Sequence, residues 1–148
     1  MARMLFEDIF EVLEKDPDGK KFDKVSRLRC RSDLYEMDLT LDVNSDLYPK
    51  EVGEKFSLAL SKTLNLDGSE MEGHFTASLH SGKPSLLDKY DYVMHGKIFK
   101  FKDNTAGGHV RLEVFISFGG LLMQLIGDAK KLSQLENDMD VFLLMRSV

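Results

Sequence analysis

Apolar positions along this chain recur mainly with a period of two, the spacing of strands rather than of helices. The clearest stretch is Val110–Gly127, VRLEVFISFGGLLMQLIG. Two apolar runs flank Gly119-Gly120, and a Gly-Gly link between such runs predicts a two-residue hairpin, because both central positions of a type I′ turn need φ > 0. That turn sets the register. Phe118 faces Leu121, Ile116 faces Met123 and Val114 faces Leu125, so this apolar face packs into a core. The other face pairs Ser117 with Leu122, Phe115 with Gln124 and Glu113 with Ile126. A face that met only water would be polar throughout. Phe115, Leu122 and Ile126 therefore predict a cover, supplied by this chain or by another.

The remaining elements follow in chain order. Leu5–Leu13 fits both a helical stripe and a strand, and the β-like neighbours favour an extended segment. Asp16-Pro17-Asp18-Gly19 predicts a type I turn. Val25–Arg31 and Tyr35–Val43 alternate strictly and predict half-buried strands. A turn at Asp33-Leu34 would pair Cys30 with Met37 and Leu28 with Leu39 inside, and Arg31 with Glu36 and Arg29 with Asp38 outside. Asp-Leu is a poor turn pair, which leaves a longer loop open. Asn44–Pro49 is a connector, and Lys55–Leu64 resumes alternation. Asn65–Lys89 has no clean period and predicts a long, functional or mobile loop. In Tyr90–Lys102 the phase changes, which predicts a β-bulge at Gly96. Asp103–Gly108 is a polar turn. Asp128 is placed to cap a short helix that buries Leu132 and Leu135. Met139–Met145 closes the chain, with Phe142 and Leu144 on its outer side. About seven strands, close-set turns and one short helix predict an all-β antiparallel barrel.

Composition narrows the function classes. The chain has 148 residues, 43% hydrophobic and 30% charged, as expected of one ordinary globular domain spanning 1–148. Its net charge of −5 argues against a polyelectrolyte partner for the whole chain, so any nucleic-acid role must be local. A single cysteine, Cys30, excludes an internal disulfide and points to a reducing compartment. No apolar run approaches the roughly 18 residues of a membrane span. Acids inside MARMLFEDIFEV argue against a secretory signal. No basic cluster is dense enough for a nuclear import signal.

Candidate chemistry is sparse. His74, His80, His95 and His109 have no partner at metal-ligand spacing. Glu36, Asp38 and Asp42 fall on the solvent side of a strand, where paired acid–base work is not built. Asn65–Glu70 has the wrong spacing for a calcium loop. The residues therefore name no catalytic group, cofactor or metal. The basic run Lys20, Lys21, Lys24, Arg27, Arg29 and Arg31 is the best nucleic-acid signal, with Phe22 as its only interleaved aromatic. Its competing reading, which is preferred, spends Arg29 and Arg31 on Glu36 and Asp38. The outer residues Phe115, Leu122 and Ile126, with Phe142 and Leu144, form a candidate docking face.

Six segments carry a family resemblance: LFEDIF, DPDGKKFDKVSR, LDVNSDLYP, YVMHGKIF, SFGGLLMQLIGD and LLM. Together and in this order they resemble the small eighth common subunit of the eukaryotic nuclear RNA polymerases. The resemblance implies a Greek-key barrel of OB type with seven to eight strands and a long Ω-loop at Asn65–Lys89. It implies a non-catalytic nuclear subunit shared by polymerases I, II and III, docked at the periphery on the largest subunit, and nucleolar where polymerase I works. It also implies weak, non-specific single-strand binding through about Asp16–Thr40. On this reading Gly119 and Gly120 hold the turn, and Leu121, Leu122 and Met123 form the contact strand beside Phe115 and Ile126. Gln124 departs from the arginine that many members carry, and His95 from the tyrosine of animal members. The rival reading is a free-standing single-strand-binding module.

Overall fold

A computed structural model of the chain describes residues 4–20, 22–64, 86–105 and 107–148. The strands are β1 Phe6–Lys15, β2 Val25–Ser32, β3 Asp38–Asn44, β4 Lys55–Ser61, β5 Tyr92–Asp103, β6 Arg111–Phe118, β7 Leu121–Asp128 and β8 Asp140–Ser147. Every pairing is antiparallel. The order β1-β2-β3-β7-β6-β5-β8-β4 closes into a barrel, as expected of an OB-type fold. Each half is a Greek key: β4 returns beside β1 of the first meander, and β8 returns beside β5 of the second. The halves meet at the β3–β7 and β4–β8 seams. Closure leaves no open sheet edge.

Alternation explains the core. Phe10 and Val12, Leu28 and Cys30, Leu39 and Leu41, and Phe56 and Leu58 all point inward. The second half adds Ile98, Val114, Ile116, Met123, Leu125, Leu143 and Met145. The ambiguous first segment is extended, because β1 must bridge β2 and β4. The β6–β7 hairpin has the expected register throughout, with Gly119 at φ 63° and Gly120 at φ 102°. Gly19 N donates to Asp16 O at 2.8 Å, closing the Asp16–Gly19 turn.

Three expectations are corrected. First, the β2–β3 register is shifted by two residues. Cys30 pairs with Leu39, Leu28 with Leu41, Arg29 with Thr40 and Arg31 with Asp38. The loop is longer than Asp33-Leu34: Ser32 N donates to Met37 O at 3.0 Å, and Met37 N donates to Ser32 Oγ at 2.8 Å. Only Glu36 in that loop has positive φ, at 51°, whereas a two-residue type I′ turn would have forced it on both Asp33 and Leu34. A shift by an even number keeps every side chain on its face. Second, the bulge lies at Phe99, between Ile98 and Lys100, and not at Gly96. Gly96 marks a close approach instead: a Cβ there would lie 2.3 Å from Ser117 O and 2.5 Å from Phe118 Cδ1. Third, the stretch after β7, residues 129–134, is a run of turns and no helix. Asp128 Oδ1 accepts from Lys130 N at 2.8 Å, so the cap exists, and Leu132 and Leu135 are buried, yet the hydrogen bonds that follow span three residues. Among the described residues the one helical piece is a 3-10 turn at Leu86–Lys89. The expected loop Asn65–Lys89 otherwise lies outside the described residues.

Candidate functional site

The outer face of β6–β7 is uncovered where the sequence predicts a cover. Leu122 is 43% exposed, with Phe115 and Ile126 half-buried on the same face. Leu121 is half-buried against the core, and Gly119 and Gly120 are exposed at the turn. Met123 is 1% exposed and belongs to the core, so its side chain offers nothing to a partner. Phe142 and Leu144 also leave the candidate face. They are buried in a second cluster with Ala59 and Leu64, under Met4, Leu87, Tyr90 and Val93. The chain's own approach to β5 thus covers β8, while β7 stays open.

Two polar devices hold this face in place. The buried Asp42 carboxylate accepts from Leu122 N at 3.0 Å and from Arg27 Nε and Nη2 at 2.7 and 3.1 Å. The β3–β7 ladder stops at Leu41–Met123, so the Asp42 side chain takes over where backbone pairing ends. Glu113 accepts from Asn104 Nδ2 at 2.8 Å and from Gln124 Nε2 at 2.6 Å. These bonds, the Asn104 one foremost, hold the Glu113 carboxyl below the usual carboxylate range.

Two residues of the basic run are already paired. Arg27 forms a fork with Asp42, which raises its already high pKa, and Arg29 pairs with Glu14 on β1 rather than with Asp38. Asp38 instead lies 3.8 Å from Arg111. Arg31 has no ion pair among the described residues, and Lys20 and Lys24 are exposed. Lys21 lies outside the described residues. Phe22 is 68% exposed and lines a shallow pocket with Val25, Arg27 and Asp42.

Nothing in the described residues assembles chemistry. No three His, Cys, Asp or Glu side chains come together as metal ligands there. The His95 ring rests against Phe142 at 4.8 Å, and His74 and His80 lie outside the described residues. Cys30 is buried, and burial pushes its thiol up to about 12, far from a nucleophile's range.

The sequence matches the family described as RNA polymerase Rpb8 over residues 7–147. The chain belongs to the RNA polymerase Rpb8 family. A Dictyostelium discoideum relative, "DNA-directed RNA polymerases I, II, and III subunit rpabc3", is 51% identical, with 99% of each chain covered. An Arabidopsis thaliana relative, "DNA-directed RNA polymerases II, IV and V subunit 8B", is 50% identical over 98% of this chain and 97% of its own. The Saccharomyces cerevisiae subunit RPABC3 of polymerases I, II and III is 34% identical, with 99% of each covered. As an Rpb8 family member the chain is a polymerase component and not an enzyme by itself.

Sequence reasoning missed the role of Asp42 in this Rpb8-type barrel. Its parity places it outside and near Arg27, but its bond to Leu122 depends on β3 lying beside β7, which spacing alone does not give. Phe99 was missed for a related reason. Its outward direction follows from the bulge, and Gly96 drew that bulge to the wrong position.

Proposed function

We propose that this chain is a non-catalytic structural subunit of nuclear RNA polymerases I, II and III that docks on the largest subunit through the outer face of β6–β7. Relatives named for these three polymerases span it end to end, which supports the shared role. The nucleus, with the nucleolus for polymerase I, is then its place of work. The observation that carries the docking reading is the open apolar face of Leu122, Phe115 and Ile126 on a barrel without a free strand edge. A closed barrel cannot recruit a partner by adding a strand, so recognition falls to side chains on a face.

Fully burying Leu122 and Phe115 is worth about 1.5–3 kcal/mol each. Both side chains are already partly buried in the free chain, so docking gains only the remainder, and the double variant L122S/F115S should lower affinity on the order of tenfold or more. The tagged variant should stay folded and elute as a small protein, while the parent elutes with a particle of very high mass. Unchanged co-elution of the variant would overturn the docking reading. Single-strand binding through Lys20, Lys21, Lys24, Arg27, Arg29 and Arg31 is a minor activity on this reading, because Arg27 and Arg29 already hold carboxylates. It should be weak and fall steeply with salt.

A further inference from the structure

The bulge at Phe99 builds a second feature beside the open face. A bulge breaks strict alternation, so Phe99 and Lys100 both reach the outer surface. Lys97 and Lys102 flank them on the same strand, all exposed. Phe99 is 47% exposed, and its ring leans on Phe115 at 6.2 Å between centroids and 50° between planes. Lys100 Nζ stands 5.5 Å from the Phe115 ring centre. Among the described residues none of these three lysines has a carboxylate within ion-pair distance. Asp140, the ladder neighbour of Lys97, forms no such pair with it, and Glu113, opposite Lys102, is bound to Asn104 and Gln124. On β2, by contrast, two of three arginines are neutralised. β5 thus presents three exposed lysines without an ion pair around an exposed phenyl ring, and the Glu113 carboxylate acts on Lys102 and Lys100 only from beyond ion-pair distance.

We infer that this face of β5 receives an acidic segment of the neighbouring polymerase subunit. Its carboxylates meet Lys97, Lys100 and Lys102, and an apolar side chain between them seats on Phe99 against Phe115. The inference rests on the docking reading above and names the chemistry of the partner. Charge complementarity selects an acidic occupant. A single nucleic-acid strand has the same sign but needs open ring faces for its bases. Here the two phenyl rings lean on each other, and Lys100 stands over Phe115.

The test uses polymerase purified through a tag on this chain. The variant K97E/K100E/K102E should be released at salt concentrations that retain the parent, with retention at physiological salt reduced roughly tenfold or more. The variant K97R/K100R/K102R should be retained. A carbodiimide should join these lysines in the assembled enzyme to Asp or Glu of another subunit, and the arginine variant should lose those cross-links. All three side chains are exposed, so the thermal melt of the isolated arginine variant should match the parent, and charge reversal beside Glu113 and Asp140 should leave the isolated chain folded with at most a small drop in melting temperature. If charge reversal leaves retention intact and no cross-links form, while L122S/F115S is released, the acidic partner is wrong and the docking face stands. If neither set of substitutions changes retention, the docking reading itself fails and takes this inference with it. If oligo(dT) binding is what charge reversal abolishes, with no protein cross-links, the face belongs to nucleic acid and the inference is overturned.

Discussion

At the residue scale, two carboxylates with different jobs hold the outer face. Asp42 accepts from one backbone amide and one guanidinium fork, so Asp42→Ala leaves Leu122 N and Arg27 without their acceptor. Arg27 is partly exposed, which discounts the ion pair. The loss should be about 2 kcal/mol by urea unfolding, with the loosened amide visible as faster exchange at Leu122. Glu113 gives a pH signature. Its folded pKa lies below its unfolded value of about 4.3, so the folded state binds fewer protons there and stability rises with pH through that interval. The contribution is full above the unfolded pKa and is lost as pH falls through the folded one. Glu113→Gln should flatten the loss of stability as pH falls below the ordinary glutamate value, and equal slopes in the two proteins would count against the assignment. Neither role was legible from composition. Acids on an alternating strand read as solvated, and only the neighbouring strand's identity turns Asp42 into an amide acceptor.

At the element scale, legibility followed the strength of local turn chemistry. Gly119-Gly120 admits few conformations for a two-residue hairpin, so the turn alone sets every pair from Phe118–Leu121 to Glu113–Ile126. Asp33-Leu34 has no such preference, and the β2–β3 register moved by two residues while the faces stayed put. Leu132 and Leu135 were correctly placed in the core although their segment is a chain of turns, because burial follows apolar identity whatever the backbone does. Gly120→Val tests the strongest of these elements. At φ 102° a β-branched residue is strained, and the cost should be at least ~1–2 kcal/mol in denaturant unfolding. Gly119→Asn, at φ 63°, should be far milder, since asparagine accepts that region. Equal effects of the two substitutions would mean that the turn does not control the hairpin.

At the scale of the molecule, two matched Greek keys meet at seams of unequal strength. Six residue pairs join β4 to β8, and Met4, Leu87, Tyr90 and Val93 cover their outer cluster of Ala59, Leu64, Phe142 and Leu144. Only four pairs join β3 to β7, and Leu122 beyond the last of them is open to solvent. Local opening is easiest where few hydrogen bonds and little apolar cover hold two strands together. The isolated chain should therefore exchange its β3 and β7 amides faster than those of β4 and β8. A partner seated on Leu122, Phe115 and Ile126 would supply the missing cover on one side of β7, and bound chain should regain protection there with little change at β4–β8. This asymmetry links the fold to the docking reading through one measurement. Hydrogen exchange on free chain and on assembled polymerase would have to give the same β7 protection for the link to fail. The sequence alone pointed to an outward apolar strand pair, but it placed Phe142 and Leu144 there too. Which of the apolar strands stays bare was settled by the residues just before β5, whose packing over β8 depends on the strand order and leaves no trace in local periodicity.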